Sequence, residues 1–101
     1  MGRRDRRAIE SHLIILMQHI IKWKTQRNGR TKSWKNSIQA ARQNIVRLRK
    51  ISPGITDEYI AASFPACFEA ARRAAETEMK QKAILPLLTW QEVFNDEYLL
   101  P

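Results

Sequence analysis

Two stretches of this sequence repeat one rhythm, and that rhythm restricts the fold more than any other feature. From Ile9, the apolar residues Leu13, Leu16, Ile20 and Trp23 follow at steps of 4, 3, 4 and 3; from Trp34, the residues Ile38, Ala41, Ile45 and Leu48 repeat them. Such spacing lines up side chains on one face of an α-helix, and a strand, with its two-residue period, cannot use it. Ile14, Met17 and Ile21 widen the first stripe. Between the stripes, "QRNGR" holds Asn28-Gly29, a turn dipeptide that also suits a left-handed helix C-cap. Thr31 or Ser33 can cap the second helix. The pattern predicts helices over 4–26 and 32–51, joined as an antiparallel hairpin.

Ser52-Pro53-Gly54 ends the second helix, because proline disfavours helical geometry in the residue before it. A third helix is expected over 56–82, capped by Thr56, with Asp57 and Glu58 opposing the helix dipole. Pro65 removes a backbone donor inside it and predicts a kink or break near Ser63 or Phe64. Ala61, Ala62, Ala66, Ala70, Ala71, Ala74 and Ala75 favour helix and allow close approach, while Tyr59, Phe64, Cys67 and Phe68 add bulk. After Pro86, Thr89 caps a short last helix over 89–96, whose Trp90, Val93 and Phe94 can fold back on the others. The expected fold is all-α, a small bundle of three main helices plus a short C-terminal one, in a single domain spanning 1–101.

Composition bounds what such a bundle can do. Apolar residues make up 44% and charged residues 28% of the chain, ordinary globular usage, so a folded core is expected rather than disorder. The longest apolar run, Leu13 to Met17, is five residues, far short of a membrane span. No signal peptide is expected, since Glu10, Ser11, His12 and Gln18 interrupt the apolar stretch and no small-residue cleavage site follows. A lone Cys67 fits a reducing, cytoplasmic setting. The charge is lopsided: residues 1–50 carry 14 Lys/Arg against Asp5 and Glu10, a balance of +12, while residues 51–101 carry 4 against 8, a balance of −4. The basic half attracts polyanions or an acidic protein segment equally well.

Catalytic constellations are sparse. One Cys and two His fall short of a zinc site, and His12 and His19, two helical turns apart, lie about 10 Å from each other along the axis. Three glycines supply no phosphate-binding loop, and no cofactor or metal is expected. A Cys67–His nucleophile pair is conceivable across helices, but a small buried thiol is the natural reading of "FPACFEAA". The spacing Arg7…His12, with four residues between, resembles the motif of HEPN-type helical ribonucleases, which implies phosphodiester cleavage by those two residues in a dimer. The polar residue that usually follows the arginine is Ala8 here.

The cations Lys22, Lys24, Arg27, Arg30, Lys32 and Lys35 cluster around the hairpin corner and form the candidate contact with a polyanion or an acidic partner. Exposed tryptophans beside them would stack on unpaired bases. Trp23 and Trp34 both fall on the apolar stripes, however, and packed rings are expected.

His19, Lys22 and Trp23; Ser33 and Trp34; Ile38, Arg42, Ile45 and Leu48; Ser52-Pro53-Gly54; "AARRAAETE"; and the closing "LPLLTWQEVFNDEYLLP" form an ordered series. It resembles the bacterial domain of unknown function 29 family, abundant in cyanobacteria, along nearly the whole chain. The resemblance implies an all-helical fold and brings no activity, cofactor or catalytic residue. His19, Trp23, Ser33, Trp34 and Arg42 are read as its structural signature. Family members usually carry about forty further residues upstream of a Met-Gly-Arg like Met1-Gly2-Arg3, so the chain reads as lacking an N-terminal segment. That absence would leave part of the apolar stripe bare and favour a dimer or a partner chain.

The leading functional reading is a protein-interaction or regulatory module with a protein partner or homo-oligomer, without a membrane. The alternatives are a nucleic-acid-associated protein, as in a defence or toxin–antitoxin system, and a ribonuclease using Arg7 and His12.

Overall fold

The structure, a computed structural model, describes residues 3–100; Met1, Gly2 and Pro101, which enter the family resemblance at its two ends, lie outside them. The protein is all-α. Helix α1 spans Arg3–Thr25, α2 Lys32–Ile51 and α3 Asp57–Met79, followed by an extended segment and a π-helical turn, Gln91–Asn95.

Helix α1 is the spine. It packs against α2 on one side and α3 on the other, and these are the dominant helix contacts. Both stripes turn inward: Ile9, Leu13, Leu16, Ile20, Trp23, Ile38, Ala41 and Ile45 are buried, and Trp34 and Leu48 are partly buried against them. Met17 and Ile21 join the core from the widened flank of α1, which therefore needs cover on more than one side. The hairpin is antiparallel. At one end the Ser52 hydroxyl donates to Asp5 at 2.7 Å; at the other, the Lys22 ammonium lies 4.7 Å from the Trp34 ring centre. Helix α3 runs alongside α1 in the same direction, since Tyr59 Oη donates to Glu10 near its start and Lys22 reaches Glu78 near its end, at 2.9 and 2.8 Å.

Local chemistry sets the boundaries. Thr31 rather than Ser33 caps α2, its hydroxyl accepting from the Trp34 N–H at 3.1 Å, and Thr56 does the same for Tyr59 in α3. Gly29 is not a left-handed cap: no glycine among the described residues has a positive φ, and Arg27–Gly29 forms a 3₁₀ turn. A Cβ at Gly29 would stand 3.1 Å from the Trp34 ring and 3.2 Å from Gln26 Oε1, so the position stays small because the corner is crowded. Helix α3 passes through Pro65 unbroken, with that residue on its exposed side. It stops at Met79, short of the expected 82, because Lys80 takes the left-handed conformation at φ 58° and donates its N–H to Glu76 O.

The C-terminal segment fills the angle that α2 and α3 leave open. Thr89 and Glu92 cap each other reciprocally, N–H to side chain, at 2.9 and 3.1 Å. Val93 is buried, Trp90 stacks on Phe64 of α3 at 5.8 Å, and Tyr98 meets the edge of Trp23 of α1 at 5.9 Å. The expected short C-terminal helix is present within 89–96, as a π-helix over Gln91–Asn95 closed by the Asp96 N–H on Gln91 O at 2.8 Å.

Candidate functional site

The hairpin corner is where the basic residues gather, and tertiary structure sorts them into two groups. Lys22 belongs to the interior. It is 3% exposed, its ammonium pairs with Glu78 at 2.8 Å, and its charge faces the Trp34 ring. It is therefore withdrawn from any partner, contrary to the contact role expected for it. Glu78 is held below the ordinary carboxylate range, chiefly by the hydrogen bond from Lys22. Arg30 donates Nε–H to Trp23 O at 2.8 Å and spreads its guanidinium 5.0 Å above the Trp23 ring. Trp23 and Trp34, the two tryptophans of the corner, thus each carry a cation of their own chain as a lid. Neither ring is a free platform for a base.

The second group lines two adjoining clefts of about 590 and 610 Å³. The last turn of α1 provides Lys24 and Thr25, and the 3₁₀ turn provides Arg27, which both clefts share. The first cleft adds Arg30 and, from the segment after α3, Lys82, Ile84 and Leu85; the second adds Gln26, Asn28, Gly29 and Gln81. No aspartate or glutamate lines either one. A hydrogen bond of 3.1 Å from Gln26 Nε2 to Gln81 Oε1 ties the corner to the post-helical segment, fixing the walls relative to one another. Lys24 pairs with Glu92. Burial works to raise the Glu92 pKa, but the Lys24 hydrogen bond and the Thr89 N–H outweigh it and hold the carboxyl low. Among the described residues neither Arg27 nor Lys82 forms a salt bridge, although Lys82 lies near enough to Glu76 for its charge to help lower that carboxyl's pKa. Ile84, at the rim, is 95% exposed.

Lys82 escapes sequence reading because it lies in the acidic half of the chain; only the course of α3 beside α1 returns it to the corner. Lys32 is exposed on the first turn of α2, and Lys35 lines a separate cleft of about 250 Å³ between α2 and the C-terminal segment.

Four of the signature residues, His19, Trp23, Trp34 and Arg42, make contacts within the fold. His19 Nδ1–H donates to Ile15 O at 2.8 Å. Arg42 donates to Val93 O at 2.8 Å and Glu92 O at 3.2 Å while its guanidinium lies 5.6 Å from the Tyr98 ring centre, clamping the C-terminal segment to α2. Burial lowers the Arg42 pKa and raises that of Tyr98 to about 12. Ser33 is exposed.

Within one chain the catalytic candidates lie on different faces or in the core. Arg7 is exposed and His12 half-buried on α1, five positions and about 140° apart around the helix. Cys67 is buried against Glu10 O, and burial pushes its thiol up to about 11, which leaves it protonated and poorly nucleophilic. Among the described residues no group of three or more His, Cys, Asp or Glu can hold a metal, and no helix is long and apolar enough to cross a membrane. The corner presents cations beside an exposed aliphatic side chain, groups suited to electrostatic and apolar recognition.

Compared with known proteins, residues 1–99 match one family model, described as Domain of unknown function DUF29. No curated protein and no solved structure matches the chain.

Proposed function

The chain belongs to the DUF29 family, and from that premise we propose that it works as a protein-interaction module, presenting the basic corner to a partner protein. One observation carries this reading: the cations of the clefts stand beside a nearly fully exposed isoleucine, Ile84, while the two tryptophan rings of the corner, Trp23 and Trp34, are capped from within. A nucleic-acid site that relies on unpaired bases needs open aromatic faces, and one that relies on phosphates has no use for an aliphatic rim. A protein surface offers carboxylates and apolar groups together. The free, buried Cys67 accords with work in a reducing, cytoplasmic compartment.

The test is a titration of fluorescent single-stranded RNA and DNA of random sequence into the purified chain at several salt concentrations. Weak binding at 0.15 M salt is the expected result. Tight binding with a log–log salt slope of about 0.7 to 0.9 per phosphate contacted would overturn the interaction reading in favour of backbone binding.

A further inference from the structure

We infer that the paired clefts bind an extended acidic peptide segment carrying an aliphatic side chain, its carboxylates on Arg27 and Lys82 and its apolar group against Ile84 and Leu85. This rests on the interaction reading above and names the partner class for the same site.

Four observations converge on that occupant. The clefts share Lys24 and Arg27 and contain no acid, so their charge calls for anions along a path rather than at one point. A carboxylate already sits at the corner, since Glu92 reaches Lys24 from the chain's own C-terminal segment. Ile84 is 95% exposed in a segment whose neighbours Ala83 and Leu88 are buried, so its side chain projects from a fixed backbone. The Gln26–Gln81 hydrogen bond holds the two walls in register before any partner arrives, which lowers the ordering cost of binding.

A second copy of the chain is the weaker occupant. Its exposed C-terminal residues Leu99 and Leu100 are aliphatic, but only Asp96 and Glu97 accompany them, and each copy carries a net charge of +8. Two such copies repel over about a Debye length, roughly 8 Å at physiological salt, where an acidic partner is attracted.

The experiment uses the full chain and fluorescein-labelled peptides of about twelve residues, which reach about 40 Å when extended and can cross both clefts. One peptide alternates Asp and Glu around a central Leu; a second replaces that Leu by Ser; a uridine oligonucleotide of similar length is the third probe. By anisotropy at 0.15 M salt, the Leu peptide should bind about fivefold tighter than the Ser peptide, and both tighter than the oligonucleotide. Arg27→Glu or Lys82→Glu should weaken both peptides about tenfold. Ile84→Ser should erase the Leu-over-Ser preference and leave the Ser peptide unchanged. The Leu-to-Ser comparison is made on unaltered protein, so it stands even where a variant folds poorly.

Equal affinity for the two peptides, a preference that survives Ile84→Ser, or tighter binding of the oligonucleotide overturns the inference. So does a dimer in sedimentation that the Leu peptide dissociates, because a second copy would then own the cleft. If no probe binds, the acidic-segment assignment fails while the interaction reading, tested by the salt titration, stands.

Discussion

Lys22 and Arg42 on one hand, and Arg27 and Lys82 on the other, are cations of one small protein put to opposite uses. The first pair reaches inward, one to Glu78 under the Trp34 ring, the other to the carbonyls of Glu92 and Val93 beside Tyr98. The second pair lines the corner clefts, whose walls hold no acid, with Glu76 near Lys82 on its other side. A buried cation must satisfy its charge inside the fold, so its partners are fixed and its loss is felt as stability. An exposed one costs the fold little and remains available to a partner. The sign of the charge is common to both regions; burial and partnership divide them.

The sharpest break of that contrast comes from what the inner cations cover. Trp23→Ala removes a buried ring that Arg30 lies over and Tyr98 abuts, and should cost about 4 kcal/mol in urea unfolding. Arg42→Lys keeps the charge but loses the two-pronged grip on the C-terminal segment; about 2 kcal/mol is expected, with earlier amide exchange at Val93 than in α1. Glu78→Gln weakens the partner of Lys22 and should cost about 1 kcal/mol, tempered because Glu78 is 54% exposed.

The same pair sets an acid limit. Glu78 has its folded pKa below the ordinary 4.5, so its contribution is complete above that value and is lost as pH falls through the lowered one. Urea midpoints followed from pH 6 downward should therefore fall less steeply below about pH 4.5 in Glu78→Gln than in the wild type. The smallest effects belong to the outer group. Arg27→Ala and Lys82→Ala should each change stability by less than about 0.5 kcal/mol while weakening the acidic peptides. A cost above about 2 kcal/mol for either would move that residue into the inner group.

Much of the fold is legible in sequence because helical periodicity is local: each step of 4 or 3 is a statement about one helix face, and the two stripes needed no tertiary information. Caps are equally local, and Thr31, Thr56 and Thr89 sit where their side-chain oxygens meet the N–H three residues on. What escapes is what depends on distant residues. Lys22 reads as a surface lysine until Glu78, 56 positions later, is brought beside it. Lys82 joins the corner for the same reason. Gly29 invites a left-handed reading by type alone, yet its constraint is the Trp34 ring. The end of α3 and the π turn are set by where Lys80 and Asp96 place single backbone bonds, which no composition rule specifies. The candidate site was half visible: Lys24, Arg27 and Arg30 come from one run of sequence, whereas Lys82 and Ile84 complete it from the other half of the chain.

The central position of α1 has a consequence for how the protein is made. The ribosome releases α1 and α2 first, and the hairpin can close as soon as residue 51 has cleared the exit tunnel. The side of α1 that α3 covers then has no occupant until residues 52–79 have followed, about 1 to 6 s at typical elongation rates. During that interval the nascent chain displays an apolar face next to a strongly basic one, the combination that holding chaperones and the acidic solvent-facing surfaces of a crowded cell meet first.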